Sequence, residues 1–139
     1  MTTTTLDTTA ATAILPKDWT ALVARVLLAV LFLLAGLGKL AAIEATTGYI
    51  ASVGLPLAAA VCYATIALEI VGGVLLIAGY RTRLVAIGLG LFTILAGVIF
   101  HADFADQAQM TSFLKNLAIA GGMFQVAAFG PGRFSLDRG

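Results

Sequence analysis

The chain has 139 residues and a net charge of +1, with 60% of its residues hydrophobic and only 11% charged. An ordinary soluble domain carries about 25% charged residues to cover its surface, so a soluble enzyme, a nucleic-acid binder and a disordered chain are excluded. What remains is a polytopic membrane protein with lipid against most of its apolar surface. The single cysteine, Cys62, and single histidine, His101, leave no disulfide framework, no CxxC redox pair, no bis-histidine haem and no Cys/His metal site.

Residues 1–17 are Thr-rich and read as a flexible polar tail, without the basic and apolar regions of a secretory signal. Residues 18–139 read as one transmembrane domain, an all-α bundle of four spanning helices at about 19–43, 56–79, 83–101 and 111–129. Each stretch is long enough at ~1.5 Å per residue to cross a ~30 Å hydrocarbon layer. None alternates with period two, so helices are preferred to barrel strands. Pro56 sits where a helix begins, Gly79 to Thr82 form a cap and turn, and Gly130-Pro131-Gly132 ends the last helix. Residues 44–53 are too polar for mid-bilayer and are expected at the interface. Lys17, Arg81, Arg83, Arg133 and Arg138 fall on one side, with Glu44, Asp103 and Asp106 on the other. The positive-inside rule therefore places both termini in the cytoplasm and the protein in the cytoplasmic, or inner, membrane.

The polar residues within the spans are the informative ones: Arg25, Lys39, Glu69, His101, Lys115, Asn116 and Gln125. A charge at a helix centre costs about 2.5 to 3.5 kcal/mol on insertion scales, so such groups face partners or water. Arg25 lies roughly 9 Å and Glu69 roughly 15 Å from the same face. That depth makes them a candidate ion pair, either a staple between two helices or the wall of a polar cavity with Glu69 as a proton relay. Lys39, His101, Lys115 and the neighbouring Asn116 gather at the other end, as snorkelling or hydrated interfacial groups or as a ligand site. At ~100° per residue, Arg25, Ala29, Phe32, Gly36 and Lys39 share one face of the first helix. Cys62, Thr65, Glu69 and Gly73 share a face of the second, Gly90, Gly97 and His101 of the third, and Lys115 and Gly122 of the fourth.

These residues carry a resemblance. The pieces RVLLAVLFLLAGLGKL at 25–40, GLP at 54–56, ALEIVGGVLLIAGYRTR at 67–83, Phe100-His101, FLKNLAIAGG at 113–122 and GPGRFSLD at 130–137 resemble the DoxX family of small bacterial membrane proteins. The resemblance implies a four-helix membrane bundle and an association with redox and sulfur metabolism. The family takes its name from a subunit of an archaeal thiosulfate:quinone oxidoreductase, and other members are described as partners of oxidative-stress proteins.

Three functions fit. The first is a membrane subunit, at most, of a thiosulfate:quinone oxidoreductase-like complex, which binds quinone or another lipophilic carbonyl compound. Quinone heads need hydrogen-bond donors at two oxygens and an apolar sleeve, and Lys39, His101 and Lys115 are the candidate donors. With no haem, iron–sulfur or flavin site of its own, such a subunit needs a cofactor-bearing redox protein as partner. The second is a non-catalytic organiser that recruits partner proteins. The third is a small-solute carrier, for which a homodimer would supply eight spans.

Overall fold

The computed structural model describes residues 15–137. Most of the Thr-rich segment and Arg138 lie outside the described residues. Five helices form the fold: α1 (Lys17–Ala41), α2 (Ile43–Ser52), α3 (Ala58–Ala78), α4 (Thr82–Phe100) and α5 (Gln107–Phe129). Three of them, α1, α3 and α4, are long and apolar enough to cross a membrane. α5 is 23 residues long, but Gln107, Gln109, Lys115, Asn116 and Gln125 make it less apolar.

The four long helices cover the stretches expected from the sequence, with shifted ends. α1 stops at Ala41 because Ala42 leaves the helical region, at φ −137° and ψ 50°. The chain then re-enters a helix at once, so the polar 44–53 segment falls largely in the short α2. α3 ends on Gly79, whose φ of +68° suits a residue without Cβ. α5 begins at Gln107, earlier than expected, because Asp106 caps it by accepting from the amides of Ala108 and Gln109.

Burial is inverted relative to a soluble protein. Leu27, Leu34, Leu84 and Leu95 are all more than half exposed, while Arg25 is fully buried. The outer leucines are where lipid sits. On α1 the buried residues are Arg25, Ala29, Phe32 and Gly36, the face expected from helical spacing. On α5 they are Ala120, Met123 and Val126, in line with Asn116 and not with Lys115.

The helices form two antiparallel pairs, α1 with α3 and α4 with α5, and the contact between the pairs is thinner. Small residues bring partners close. A Cβ on Gly36 would sit 2.7 Å from Ile70 Cγ1, and one on Gly90 would sit 2.7 Å from Phe124 Cε1. The main core joins both pairs through Ala29, Phe32, Leu76, Leu89 and Met123. A second cluster, Ile50, Cys62 and Ile66, fastens α2 to α3.

Candidate functional site

The two ends of the bundle are built differently. At the end where α1 starts, Arg25 donates to the carbonyls of Leu76 (2.8 Å), Ile77 (2.9 Å), Pro131 (3.1 Å) and Phe134. The first two belong to the last turn of α3, where carbonyls lack intrahelical partners. The other two belong to the segment 130–137, which returns across this end as a strap. The strap is held further by the Leu136 amide on the Ala78 carbonyl and the Asp137 amide on the Gly79 carbonyl. Asp18 accepts from the Arg133 amide at 2.9 Å, and the Phe134 ring packs against Trp19 at 4.7 Å, tilted by 45°.

Asp137 also accepts from the amides of Arg81 and Thr82, both at 2.7 Å, and so caps α4 from a distance. That holds Arg81 at a φ of +47°, a conformation unfavourable for a side chain with Cβ. The hydrogen bond from the Thr82 backbone, more than any other influence, holds the Asp137 carboxyl below its ordinary range. Arg83 donates to the carbonyls of Ala127 and Ala128 and closes the end of α5.

The expected Arg25–Glu69 ion pair is therefore not formed. Glu69 pairs instead with Lys39, whose Nζ lies 2.9 Å from both carboxylate oxygens. The reason is the lean of helical side chains toward their own N-terminus. α1 and α3 are antiparallel, so Lys39 reaches back along α1 as Glu69 reaches toward it. Arg25 leans the same way as Lys39, toward the start of α1, which carries it to the strap and away from Glu69. Glu69 has only 6% of its side chain exposed against 31% for Lys39. The carboxylate is the member that depends on the pair.

This pair lies on the wall of a cavity of about 270 Å³ between the two helix pairs. Phe32, Ala35, Phe92 and Phe100 supply an apolar lining. The polar groups are Lys39, Glu69, His101, Asn116, Thr65 and Thr93, with Thr46 and Tyr49 contributed by α2. His101 follows the last residue of α4, and its Nδ1 lies 2.9 Å from Gln109 Oε1. Asn116 donates to the Thr93 carbonyl at 3.3 Å, while the Thr93 hydroxyl turns back onto Leu89. Tyr49 stacks on Phe100 at 5.5 Å and so seats α2 over the cavity.

The structure thus brings together Lys39, Glu69, His101 and Asn116. Lys115 does not join them: it is exposed on the outer side of α5, one residue and ~100° away from Asn116. Gln125 is exposed as well. Thr65 lies on the face it was expected to share with Glu69, while Thr46, Tyr49 and Thr93 were not expected. The Thr46, Tyr49, Ile50 spacing is a short helical stripe that marks the inner face of α2. Among the described residues no three His, Cys, Asp or Glu side chains converge on a metal-sized site.

The DoxX family model matches residues 20–102, from α1 through the end of α4. The chain belongs to the DoxX family. The match includes Lys39, Glu69 and His101 and stops short of Asn116. Two Escherichia coli relatives match this DoxX chain over most of its length. The inner membrane protein YqjF is 38% identical, over 88% of this chain and 92% of its own. The inner membrane protein YphA is 32% identical, over 84% of this chain and 87% of its own. A Bacillus subtilis relative, named "Putative oxidoreductase CatD", is 32% identical over 74% of this chain and 80% of its own. No solved structure matches. This DoxX protein is a multi-pass protein of the cytoplasmic membrane.

Proposed function

We propose that this DoxX protein crosses the membrane four times, through α1, α3, α4 and α5, and binds a quinone-class compound as the membrane subunit of a redox complex. Both termini are cytoplasmic in this reading. Lys17, Arg81, Arg83 and Arg133 cluster at the strapped end, while Glu44, Asp103 and Asp106 lie at the cavity end. The cavity then opens in the outer half of the bilayer.

The observation that carries the ligand reading is the cavity with its Lys39–Glu69 pair. Its 270 Å³ is close to the lower bound of about 300 Å³ for small-molecule pockets and accommodates a ring-sized head. The walls are mostly apolar with a few converging polar groups, as such pockets are. Lys39 and Glu69 neutralise each other, so the site suits a neutral polar head over an ion. Leu31, 44% exposed, borders the cavity opposite Ile119, which gives an isoprenoid tail a way out to lipid between α1 and α5. The name of the Bacillus subtilis relative supports a redox setting. The chain supplies no electron carrier of its own, so the complex contains a cofactor-bearing partner.

Titration of the detergent-purified protein with short-chain ubiquinone and menaquinone analogues tests the reading. Saturable binding is expected, weakened about tenfold or more by Glu69→Gln. Absence of binding at near-millimolar analogue would overturn it and leave an organiser of partner proteins.

A further inference from the structure

Gln109 is a polar side chain at the cavity end that the proposed function leaves without a role. It occupies the third helical position after Asp106, the residue that caps α5. From that position a Glu or Gln ordinarily turns back onto the amide of the cap residue and completes a capping box. Here the Asp106 amide donates to the Asp103 carbonyl at 3.2 Å instead. The Gln109 side chain is released from the helix end, and its Oε1 lies 2.9 Å from His101 Nδ1 in a half-buried contact.

An amide oxygen only accepts, so with Gln109 Oε1 assigned as its partner Nδ1 carries the proton, and in the neutral ring Nε2 is then a bare acceptor. Among the described residues Nε2 has no hydrogen-bond partner, and His101 lines the cavity. Lys39 and Glu69 are paired with each other. Asp103 accepts from the Ala105 amide, and Asp106 from the first amides of α5.

We propose that Gln109 is a positioning residue that holds His101 as the Nδ1–H tautomer, so that the cavity selects the hydroxyl-bearing form of its ring ligand, a quinol or phenol, over the carbonyl form. A hydroxyl donates to Nε2, whereas a carbonyl oxygen placed there sets acceptor against acceptor, a repulsive element of the kind that sharpens specificity. The Lys39 ammonium already donates to both Glu69 oxygens and, at 3.5 Å, to the Ala35 carbonyl, so the second ligand oxygen competes for one of these protons. The ligand half of the inference rests on the cavity reading above; the tautomer half does not.

The chain has one histidine, so protein labelled with ¹⁵N-histidine and purified without a histidine tag gives a single pair of imidazole nitrogen signals. Spectra at about pH 8.5, above the range where a free imidazole is protonated, should show the proton on Nδ1. Gln109→Leu should move it to Nε2, the site a free imidazole prefers. Gln109→Glu, whose carboxylate only accepts, should keep the wild-type signature. A wild-type proton on Nε2, or a Gln109→Leu spectrum unchanged from wild type, would overturn the tautomer lock. Titrations with 1,4-dihydroxynaphthalene under anaerobic reducing conditions and with 1,4-naphthoquinone should favour the dihydroxy form by about tenfold, a preference that Gln109→Leu abolishes. Equal affinity for the two overturns the selectivity alone. Binding of neither overturns the cavity reading and the selectivity with it, while the spectrum decides the tautomer on its own.

Discussion

The two ends of the bundle hold similar polar residues and treat them in opposite ways. At the strapped end, Arg25, Arg83, Asp18 and Asp137 all bond to backbone groups. Each of these four side chains satisfies a helix terminus or a turn, while the buried Thr82 hydroxyl beside them has no partner among the described residues. At the cavity end, Lys39 and Glu69 bond to each other, and His101 Nε2, which belongs to a residue lining the cavity, has no partner among the described residues. At one end the polar side chains complete the backbone's hydrogen bonds; at the other the charged ones pair with each other beside a cavity.

Substitutions at Arg25 should break the strapped end most severely. Arg25→Leu leaves four carbonyls without their donor. A loss of roughly 3–5 kcal/mol is expected, read as a large fall in the unfolding midpoint in detergent. Arg25→Lys should recover only part of it, since an ammonium lacks the planar fork that reaches several acceptors.

At the other end, Glu69→Gln strands Lys39 and should reduce ligand affinity more than it reduces stability. A double-mutant cycle of Glu69→Leu with Lys39→Met should give a coupling of roughly 1–3 kcal/mol, measured by unfolding. Zero coupling would mean that the two side chains are not paired.

A smaller effect is expected from Asp137→Ala, about 1 kcal/mol as for other lost helix caps, with faster tryptic cleavage at Arg133 as the strap loosens. The same contact makes the strap acid-sensitive. The Asp137 carboxyl is held below its ordinary range by the Thr82 backbone, so folding favours its charged form. Its contribution is fully present above the ordinary carboxylate range and fades as pH falls through the lowered value. Cleavage by an acid-active protease should therefore speed up in wild type as the pH drops, and Asp137→Ala should flatten that trend. Lys115→Gln should change least, within about 0.5 kcal/mol and without effect on ligand affinity, because Lys115 is exposed. A large loss of affinity there would blur the line drawn between the two ends.

The long helices and the inner face of α1 were legible because small and polar residues recur at helical spacing. The partners were not. Arg25 and Lys39 share a face of one helix and lean the same way along it, and helical spacing alone does not say which of them meets Glu69. The acceptors of Arg25 are backbone carbonyls, which leave no mark in a sequence. On α5, charge drew attention to Lys115, but the long flexible lysine can hold its ammonium at the surface, and the shorter Asn116 is the inward residue. α2 was hidden because ten residues are too few to show a clear period.

The hydrogen bonds of Arg25 also order events in time. Its strap acceptors, Pro131 and Phe134, are 106 and 109 residues further along the chain. During synthesis the first helix enters the bilayer long before those carbonyls exist. Its guanidinium must then wait in the translocation channel or at the lipid surface, and the bundle closes only when the strap arrives. A chain stopped at Phe129 would keep every long helix and still be unfinished. Pulse-labelled chains cut there should be degraded faster than the full protein, and Arg25→Leu should narrow that difference.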